Sequence, residues 1–500
     1  MAPLVKVGGL ADMVGALAGE QARRGHRVTV AIPAYRTLEV PAGWTRRTLP
    51  GVDVPWGMTH ERAHFEVLEA PAFPGGGTLR VLIAGHDGER KFFDREGVYD
   101  DPVTGVAYPD NAERFLFFCR AALDGLKHLG ERFDVLHAHD HQAAWAPCFV
   151  RTHEAYETAF GGIATVLTIH NLGYQGIYDS WVLALAGFGG EVFYPQSPFE
   201  FWGRVNYMKV GLAFADMLST VSPRYAREIQ TTGEFGFGLE GVLARRNGDL
   251  RGILNGIDVE VWNPATDPHL PTHYDADHLE RKTAVRLALA RSCELPANGK
   301  PIVGMVSRLV EQKGFDLIEE AKDALMKLEA RFVVLGSGAP RYVEMMRELE
   351  AAHPTRVFYR AGYDEAFAHV IEGGADIFFM PSRYEPCGLN QMYSLRYGTV
   401  PVVRETGGLA DTVTEFDPFT RSGNGFLFHR FEASEMVAAL RRALAIQKQP
   451  ELWHVLQRTG MRQDFSWDRS AREYDTLYEE ARAKVARGEA RTMERVRAAI

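Results

Sequence analysis

Arg308 and Lys313 stand on one stretch just past an apolar run, Ile302 to Ser307, that reads as a strand. Two cations on one strand-end loop suit a diphosphate: the guanidinium grips oxygens as a fork and the ammonium acts as a point charge. An arbitrary Arg/Lys pair is more often solvated, but the place after a strand and before Gly314 favours a ligand. Glu385 follows another apolar run, Asp376 to Met380, inside Pro381-Ser-Arg-Tyr-Glu-Pro-Cys-Gly-Leu389. Tyr384 and Pro386 hold its carboxylate in an extended turn, able to point into a cleft. Gly388 then opens a helix whose first-turn N–H groups suit a phosphate. Cys387 lacks a nearby His partner, so it reads as packing rather than as a nucleophile.

Gly-Gly-Leu-Ala-Asp-x-Val occurs twice, at Gly8 to Val14 and at Gly407 to Val413. Each copy reads as a glycine loop opening a helix, where backbone N–H groups and the positive helix end face an anion. One Gly-Gly pair is usually a plain turn. Two copies at opposite ends suggest two nucleotide-binding-type domains. His137-Ala-His139-Asp140 ends a third apolar run and His170 ends a fourth. Without a second ligand group at zinc-like spacing, the histidines read as polar strand termini rather than a metal site.

The elements that must carry these residues alternate. Val28 to Ile32, Asp134 to His139 and Ala164 to His170 read as strands, and Leu10, Val14, Leu17 and Ala18 follow helical spacing. A second series runs through Ile302 to Ser307, Phe332 to Gly336, Asp376 to Met380 and Val400 to Val403. Such alternation implies α/β domains with parallel sheets, whose ligands bind at the carboxyl ends of strands. Trp262 to Pro271, rich in Pro and Asp, reads as an interdomain connection. Tyr474 to the end reads as a charged, solvated tail. A glycine loop of this type normally follows the first, central strand of a doubly wound sheet. Only Met1 to Val7 precede the first copy, so that strand is expected to be missing and the true start to lie upstream; the alternative is a minimal strand at Pro3 to Val5.

With 500 residues, two or three domains are expected. A net charge of -9 argues against a nucleic-acid or anionic-membrane partner. Cys119, Cys148, Cys293 and Cys387 form no CxxC pair, so no disulfide framework is indicated and a reducing cytoplasm fits. No apolar run approaches the roughly 20 residues that span a bilayer, and no secretory signal is visible.

These motifs, taken in order, resemble a known family. Lys6-Val-Gly-Gly-Leu-Ala-Asp12, His137-Ala-His-Asp140, Thr168-Ile-His-Asn-Leu-Gly-Tyr-Gln-Gly176, Asn255-Gly-Ile-Asp258, Ser307-Arg-Leu309, Gln312-Lys-Gly314, Arg383-Tyr-Glu-Pro-Cys-Gly-Leu389 and Thr406-Gly-Gly-Leu-Ala-Asp411 are similar to those of bacterial glycogen synthases and plant starch synthases. The resemblance spans Lys6 to about Tyr478. It implies a GT-B fold: two Rossmann-like domains, an active site between them and a last helix crossing back to the first. The domains implied are 1–260 for the glucan acceptor, 261–465 for the nucleotide sugar, 466–485 for the crossing helix and 486–500 for the tail.

The activity implied is transfer of glucose from ADP-glucose to the non-reducing 4-OH of an α-1,4-glucan, with retention and with no metal or other cofactor. Carried over by motif, Glu385, Arg308, Lys313 and His170 are the catalytic set. Arg308 and Lys313 would meet the diphosphate, and the His170 carbonyl the reacting centre. Lys6, Gly8, Gly9, Asp12, Tyr108, Asp140, Asn255, Tyr363, Gly388, Leu389, Asn390, Thr406, Gly407 and Gly408 are the implied donor-binding set, with Tyr363 stacking on adenine. The sequence departs from the pattern at His141-Gln142, where Trp-His is common. Tyr393 stands in place of the second Glu of the Glu-x7-Glu pattern, as is usual in this subgroup. Two alternatives remain at this level: a transferase using UDP-glucose, and a non-catalytic glucan-binding homologue.

Overall fold

The computed structural model describes residues 1–5 and 8–498, and the chain divides into two units. The first comprises residues 1–221, 226–253 and 467–500; the second comprises 222–225 and 254–466.

Among the described residues, ten strands belong to the first unit. They are β1 (Arg27–Pro33), β2 (Thr45–Trp56), β3 (Thr59–Glu69), β4 (Thr78–His86), β5 (Val135–His139), β6 (Ala164–Ile169), β7 (Ile177–Tyr178), β8 (Val205–Asn206), β9 (Met217–Thr220) and β10 (Leu250–Gly252). One sheet runs β1-β4-β3-β2, parallel between β1 and β4 and antiparallel thereafter; another, β10-β9-β6-β5, is parallel throughout. The α/β expectation holds. The antiparallel β2–β3–β4 part is an addition that alternating strands and helices did not announce. Its cause is local: Gly57 at φ +60 folds β2 back on β3 in a tight hairpin, which removes the need for a helical crossover.

The glycine loop opens a helix, Gly9–Arg23, with Gly8 at φ +75 as its cap. Residues 2–4 are a turn, closed by the Val5 N–H on the Met1 carbonyl at 3.0 Å, and not the minimal strand that was the alternative. Among the described residues β1 pairs only with β4 and β5 only with β6. Both strands line a cavity of about 440 Å³, with Leu10, Val14 and Leu17 of the first helix on it and Phe118, Cys119 and Ala122 of helix Asn111–His128.

The C-terminal helices correct the reading of a solvated tail. Helix Trp467–Ala486 buries Trp467, Ala471, Tyr474, Leu477 and Ala481 in the first unit, and a final helix, Met493–Ala498, buries Val496. The buried positions recur at three and four residues, a stripe that the many charges on the opposite face masked.

The second unit holds one six-stranded parallel sheet: β11 (Ile302–Val306), β12 (Arg331–Gly336), β13 (Val357–Ala361), β14 (Ile377–Met380), β15 (Val400–Arg404) and β16 (Phe426–Phe428). Their order is β13-β12-β11-β14-β15-β16, so the chain reverses its direction of winding between β11 and β14. At such a switch point the loops leaving the two strands diverge and open a crevice at their carboxyl ends.

Trp262 to Pro271 is built into this unit rather than being a connection. The Trp262 ring lies between His369 (3.8 Å, 9°) and Tyr393 (3.9 Å, 11°). Asp267, fully buried, meets His369 Nδ1 at 2.7 Å and accepts the Tyr397 hydroxyl at 2.5 Å. Aspartates and prolines look solvent-loving in sequence; here the carboxylate has partners that make its burial tolerable.

Candidate active site

In the second unit, the switch point gathers the expected cations and carboxylate. Arg308 follows β11 on an exposed turn; its Nη2 donates to Gln312 Oε1 at 3.4 Å. A single helical turn, Glu311–Lys313, then presents Lys313, and Gly314 at φ +79 reverses the chain into helix Phe315–Leu325. Only glycine fits there, because a Cβ would lie 2.0 Å from the Pro381 carbonyl oxygen. That close approach locks the loop after β11 against the loop after β14.

Across this contact Lys313 Nζ donates to Glu385 Oε2 at 2.6 Å, and Ser382 Oγ donates to the same oxygen at 2.9 Å. The Glu385 side chain is nearly buried and that of Lys313 mostly so. The two loops are tied further by the Arg383 N–H on the Gln312 carbonyl (2.9 Å) and by Arg383 on Asp316 (2.5 Å). Asn390 Nδ2 reaches back to the Val306 carbonyl at 2.8 Å, fixing the helix Asn390–Arg396 to the end of β11. Ser382 was not singled out in sequence, although it stands in the same Pro-Ser-Arg-Tyr-Glu stretch.

The second glycine pair packs beneath this loop. A Cβ on Gly407 would come within 1.9 Å of the Glu385 carbonyl oxygen, and one on Gly408 within 1.9 Å of that of Cys387. The Gly408 N–H is already bonded to Glu385 and Pro386 carbonyls, so it braces the loop rather than facing open solvent. Thr406 is buried and starts helix Gly407–Thr412. Gly388, at φ +70, turns the chain toward Leu389 and Asn390. Cys387 is buried and its thiol is pushed up to about 12 by that burial, so it is not poised as a nucleophile. Asn255 is buried beside it, its backbone N–H on the Cys387 sulfur. Tyr363 sits two residues after β13 and is 67% exposed.

In the first unit, Lys6 lies outside the described residues. Gly8 and Gly9 are exposed, and nothing lies within 4 Å of a Cβ built on Gly8. Asp12 stands in the first helical turn. Tyr108 accepts the Gly97 N–H at 3.3 Å while Arg95 and Arg114 stack over its ring at 4.8 and 5.0 Å.

Asp140 and His170 are brought together. Asp140 adopts φ +53, and its Oδ1 accepts the His170 backbone N–H at 2.7 Å. Burial raises its carboxyl to about 7, against the lowering effect of the His170 and Asn171 N–H groups. His139 Nδ1 lies 3.1 Å from His170 Nε2, and His137 bonds Tyr478 (2.8 Å) and Thr168 (2.6 Å). Burial pushes the His139 ring down to about 3 and the His137 and His170 rings well below the usual range, so all three are neutral at pH 7. Among the described residues no group of three or more His, Cys, Asp or Glu side chains is placed to hold a metal ion.

With this geometry established, comparison with known proteins decides the family. Residues 1–245 match the starch synthase catalytic domain family, and residues 291–455 match the glycosyl transferases group 1 family. The glycogen synthase of Koribacter versatilis is 45% identical over 96% of this chain and 96% of its own length. This chain belongs to the glycogen synthase family. It is therefore a glycosyltransferase, and the resemblance read from its motifs holds. The glycogen synthase of Thermotoga maritima is 42% identical over 97% of this chain and 98% of its own. The catalytic domain of starch synthase IV from Arabidopsis thaliana, solved bound to ADP and acarbose, superposes with a TM-score of 0.86 at 33% identity, covering 97% and 98% of the two chains. A sucrose-phosphate synthase from Thermosynechococcus elongatus shares the GT-B fold at a TM-score of 0.57 and 18% identity, with 96% of each chain covered. Among the described residues no helix is long and apolar enough to cross a membrane.

Proposed function

We propose that this glycosyltransferase transfers glucose from ADP-glucose to the non-reducing 4-OH of an α-1,4-glucan with retention of configuration. The observation that carries this reading is the Arg308–Lys313–Glu385 cluster at the β11/β14 switch point. As the bond from the glucosyl carbon to the diphosphate lengthens, negative charge gathers on the departing ADP and positive charge on the carbon. Fixed cations at the former are worth a few kcal/mol each in a water-poor site. In this reading Arg308 and Lys313 hold the diphosphate, Glu385 with Ser382 lies by the donor glucose, and Tyr363 stacks on adenine. Gly388, Leu389, Asn390, Thr406, Gly407 and Gly408 shape the loops around it, with Asn255 beneath. The same reading counts Lys6, Gly8, Gly9, Asp12 and Tyr108 among the donor-binding residues, and Asp140 positions the His170 backbone. ADP in the Arabidopsis structure supports the choice of nucleotide, and its acarbose supports a glucan acceptor. Charge for the leaving group comes from protein cations, so the reading asks for no metal, and the chemistry suits the cytoplasm, where nucleotide sugars are made.

Proton NMR of a maltooligosaccharide elongated from ADP-glucose tests the reaction. New α-1,4 signals, with ADP released in equal amount, are expected; β-linked product or a different linkage would overturn the assignment.

A further inference from the structure

Lys282 is a buried cation of the second unit that the chemistry above does not use. It opens helix Lys282–Ser292, the positive end of a helix dipole and so the unfavourable end for an ammonium. Its Nζ donates to the Gly373 carbonyl (2.7 Å), the Thr399 hydroxyl (2.7 Å), the Tyr397 carbonyl (3.1 Å) and the Tyr274 hydroxyl (3.4 Å). All four are neutral oxygens. Burying a charge among neutral groups is costly, and an apolar chain of like volume in its place is often neutral or stabilising. Stability alone therefore gives no reason for a lysine here.

What the ammonium holds supplies one. Gly373 lies in the last turn of helix Glu365–Gly374, and Tyr397 ends helix Asn390–Arg396. Carbonyls at such ends have no donor within their own helix, and the ends carry the negative pole of the dipole. The Tyr274 hydroxyl reaches the same two carbonyls at 3.1 and 2.8 Å, and Thr399 donates to the Glu372 carbonyl at 2.5 Å. One cation thus gathers the far ends of two helices. Their near ends carry residues of the candidate site: Tyr363 stands two residues before the first helix, and the Glu385–Gly388 turn runs into the second. At mid-length Trp262 fills the space between them, stacked on His369 of the first and Tyr393 of the second. Clamped in the middle and tied at the far end, the two helices form one body, with Lys282 about 10–15 Å from the residues they carry.

We propose that Lys282 is a positioning residue for the nucleotide donor: its ammonium fixes the spacing between Tyr363 and the Glu385–Gly388 turn without touching the ligand. The proposal rests on the donor reading given above. Burial brings Lys282 down to about 7, opposed by Asp376 and Glu372 and aided by Arg286. Asp376 is itself held by Arg286 Nε and the Ile302 N–H, both at 2.8 Å. Burial raises the Glu372 carboxyl and the Tyr274 and Tyr397 hydroxyls above their usual ranges, so both phenols stay neutral. A deprotonated Lys282 has two N–H groups for the same oxygens and no charge for the helix ends.

The test uses the full chain with Lys282→Met, which removes the charge and the donors, and Lys282→Arg, which stays charged. ADP affinity by calorimetry and melting temperature are measured at pH 6.5 and pH 9, beside KM and kcat for ADP-glucose and maltotriose. At pH 6.5 Lys282→Met should bind ADP about fivefold or more weakly, with a matching rise in KM for ADP-glucose. Its kcat and its KM for maltotriose should stay within about threefold, because the ties between the loops after β11 and β14 are intact. The affinity gap should close toward pH 9 as the parent's amine loses its proton, while Lys282→Arg holds its affinity there. Over the same range the parent should gain melting temperature on Lys282→Met, since a lowered lysine pKa withholds stability below about pH 7 and restores it as pH rises. Affinity and melting then move in opposite senses, which a merely structural lysine would not give. Parent-like ADP affinity in Lys282→Met, an equal gap at both pH values, or a Lys282→Arg that loses affinity at pH 9 as the parent does overturns the positioning role; with glucose transfer intact, the transferase reading stands. ADP affinity that depends on Lys282 in a chain that transfers no glucose upholds the role and overturns that reading. A parent that binds no ADP overturns both.

Discussion

Replacing Arg308 and Lys313 singly by alanine separates catalysis from stability, because the two cations differ in what they hold up. Arg308 is exposed, and its Gln312 bond is long at 3.4 Å. Its loss should change stability by no more than about 0.5 kcal/mol, the range of ordinary surface substitutions. Lys313 instead neutralises a nearly buried carboxylate at 2.6 Å. Breaking a fully buried pair costs about 3–5 kcal/mol and an exposed one about 0–1 kcal/mol. Lys313 keeps some exposure, so a cost of about 2 kcal/mol is expected. For a unit of this size that lowers the melting temperature by about 4–8 °C. Both variants should lose about 10²–10³-fold in turnover if, as proposed, each cation meets the departing diphosphate. The assay is initial-rate transfer at saturating donor and glycogen, with ADP binding by calorimetry and melting by scanning calorimetry on the same samples. Arg308→Ala should melt like the parent and bind ADP with a smaller change than it shows in turnover. Turnover within threefold of the parent in Arg308→Ala would refute the charge argument. A Lys313→Ala variant that melts like the parent would refute the account of the Glu385 pair.

Gly407→Ala should cost about 2–5 kcal/mol, combining a left-handed backbone with a methyl driven into the Glu385 carbonyl, whereas Gly8→Ala should cost only about 1–3 kcal/mol; urea unfolding of both variants checks the order. Trp262→Ala removes the middle of a three-ring stack and should destabilise the second unit by about 3–5 kcal/mol, read by urea unfolding, with parent-like stability contradicting its role as a clamp. Asp140 has a carboxyl raised to about 7, so ionising it counts against the folded state: the stability it withholds grows from about pH 4 and levels off above pH 7. Asp140→Asn should therefore gain melting temperature on the parent more at pH 8 than at pH 5, and an equal difference at both would contradict that.

The motifs were legible because each is a local solution to a close approach. Gly314 and Gly407 announce places where another chain segment leaves no room for a Cβ, and the structure puts Pro381 and Glu385 there. The alternation after Ile302 gave the second sheet, since parallel strands with helices between them leave a simple pattern. The hairpin of β2 and β3 was not legible, because Pro50 and Gly51 interrupt it and its register shifts between Leu49 and Val52. Trp262 and Asp267 were misread as a connection because their partners, His369 and Tyr397, lie about a hundred residues away. The charged last helix hid its buried Tyr474 and Leu477 for a related reason: composition averages over faces that packing distinguishes. Ser382, one hydrogen bond from Glu385, carried no signal that would set it apart from any loop serine.

The central claim is donor-dependent glucosyl transfer driven by the switch-point cluster. Its most direct measurement is incorporation of labelled glucose into glycogen from ADP-glucose and from UDP-glucose, compared as kcat/KM on the same preparation. The account predicts at least tenfold preference for ADP-glucose, with turnover from that donor falling about 10²–10³-fold in Lys313→Ala. Equal or greater use of UDP-glucose, or no incorporation from either donor, would contradict it.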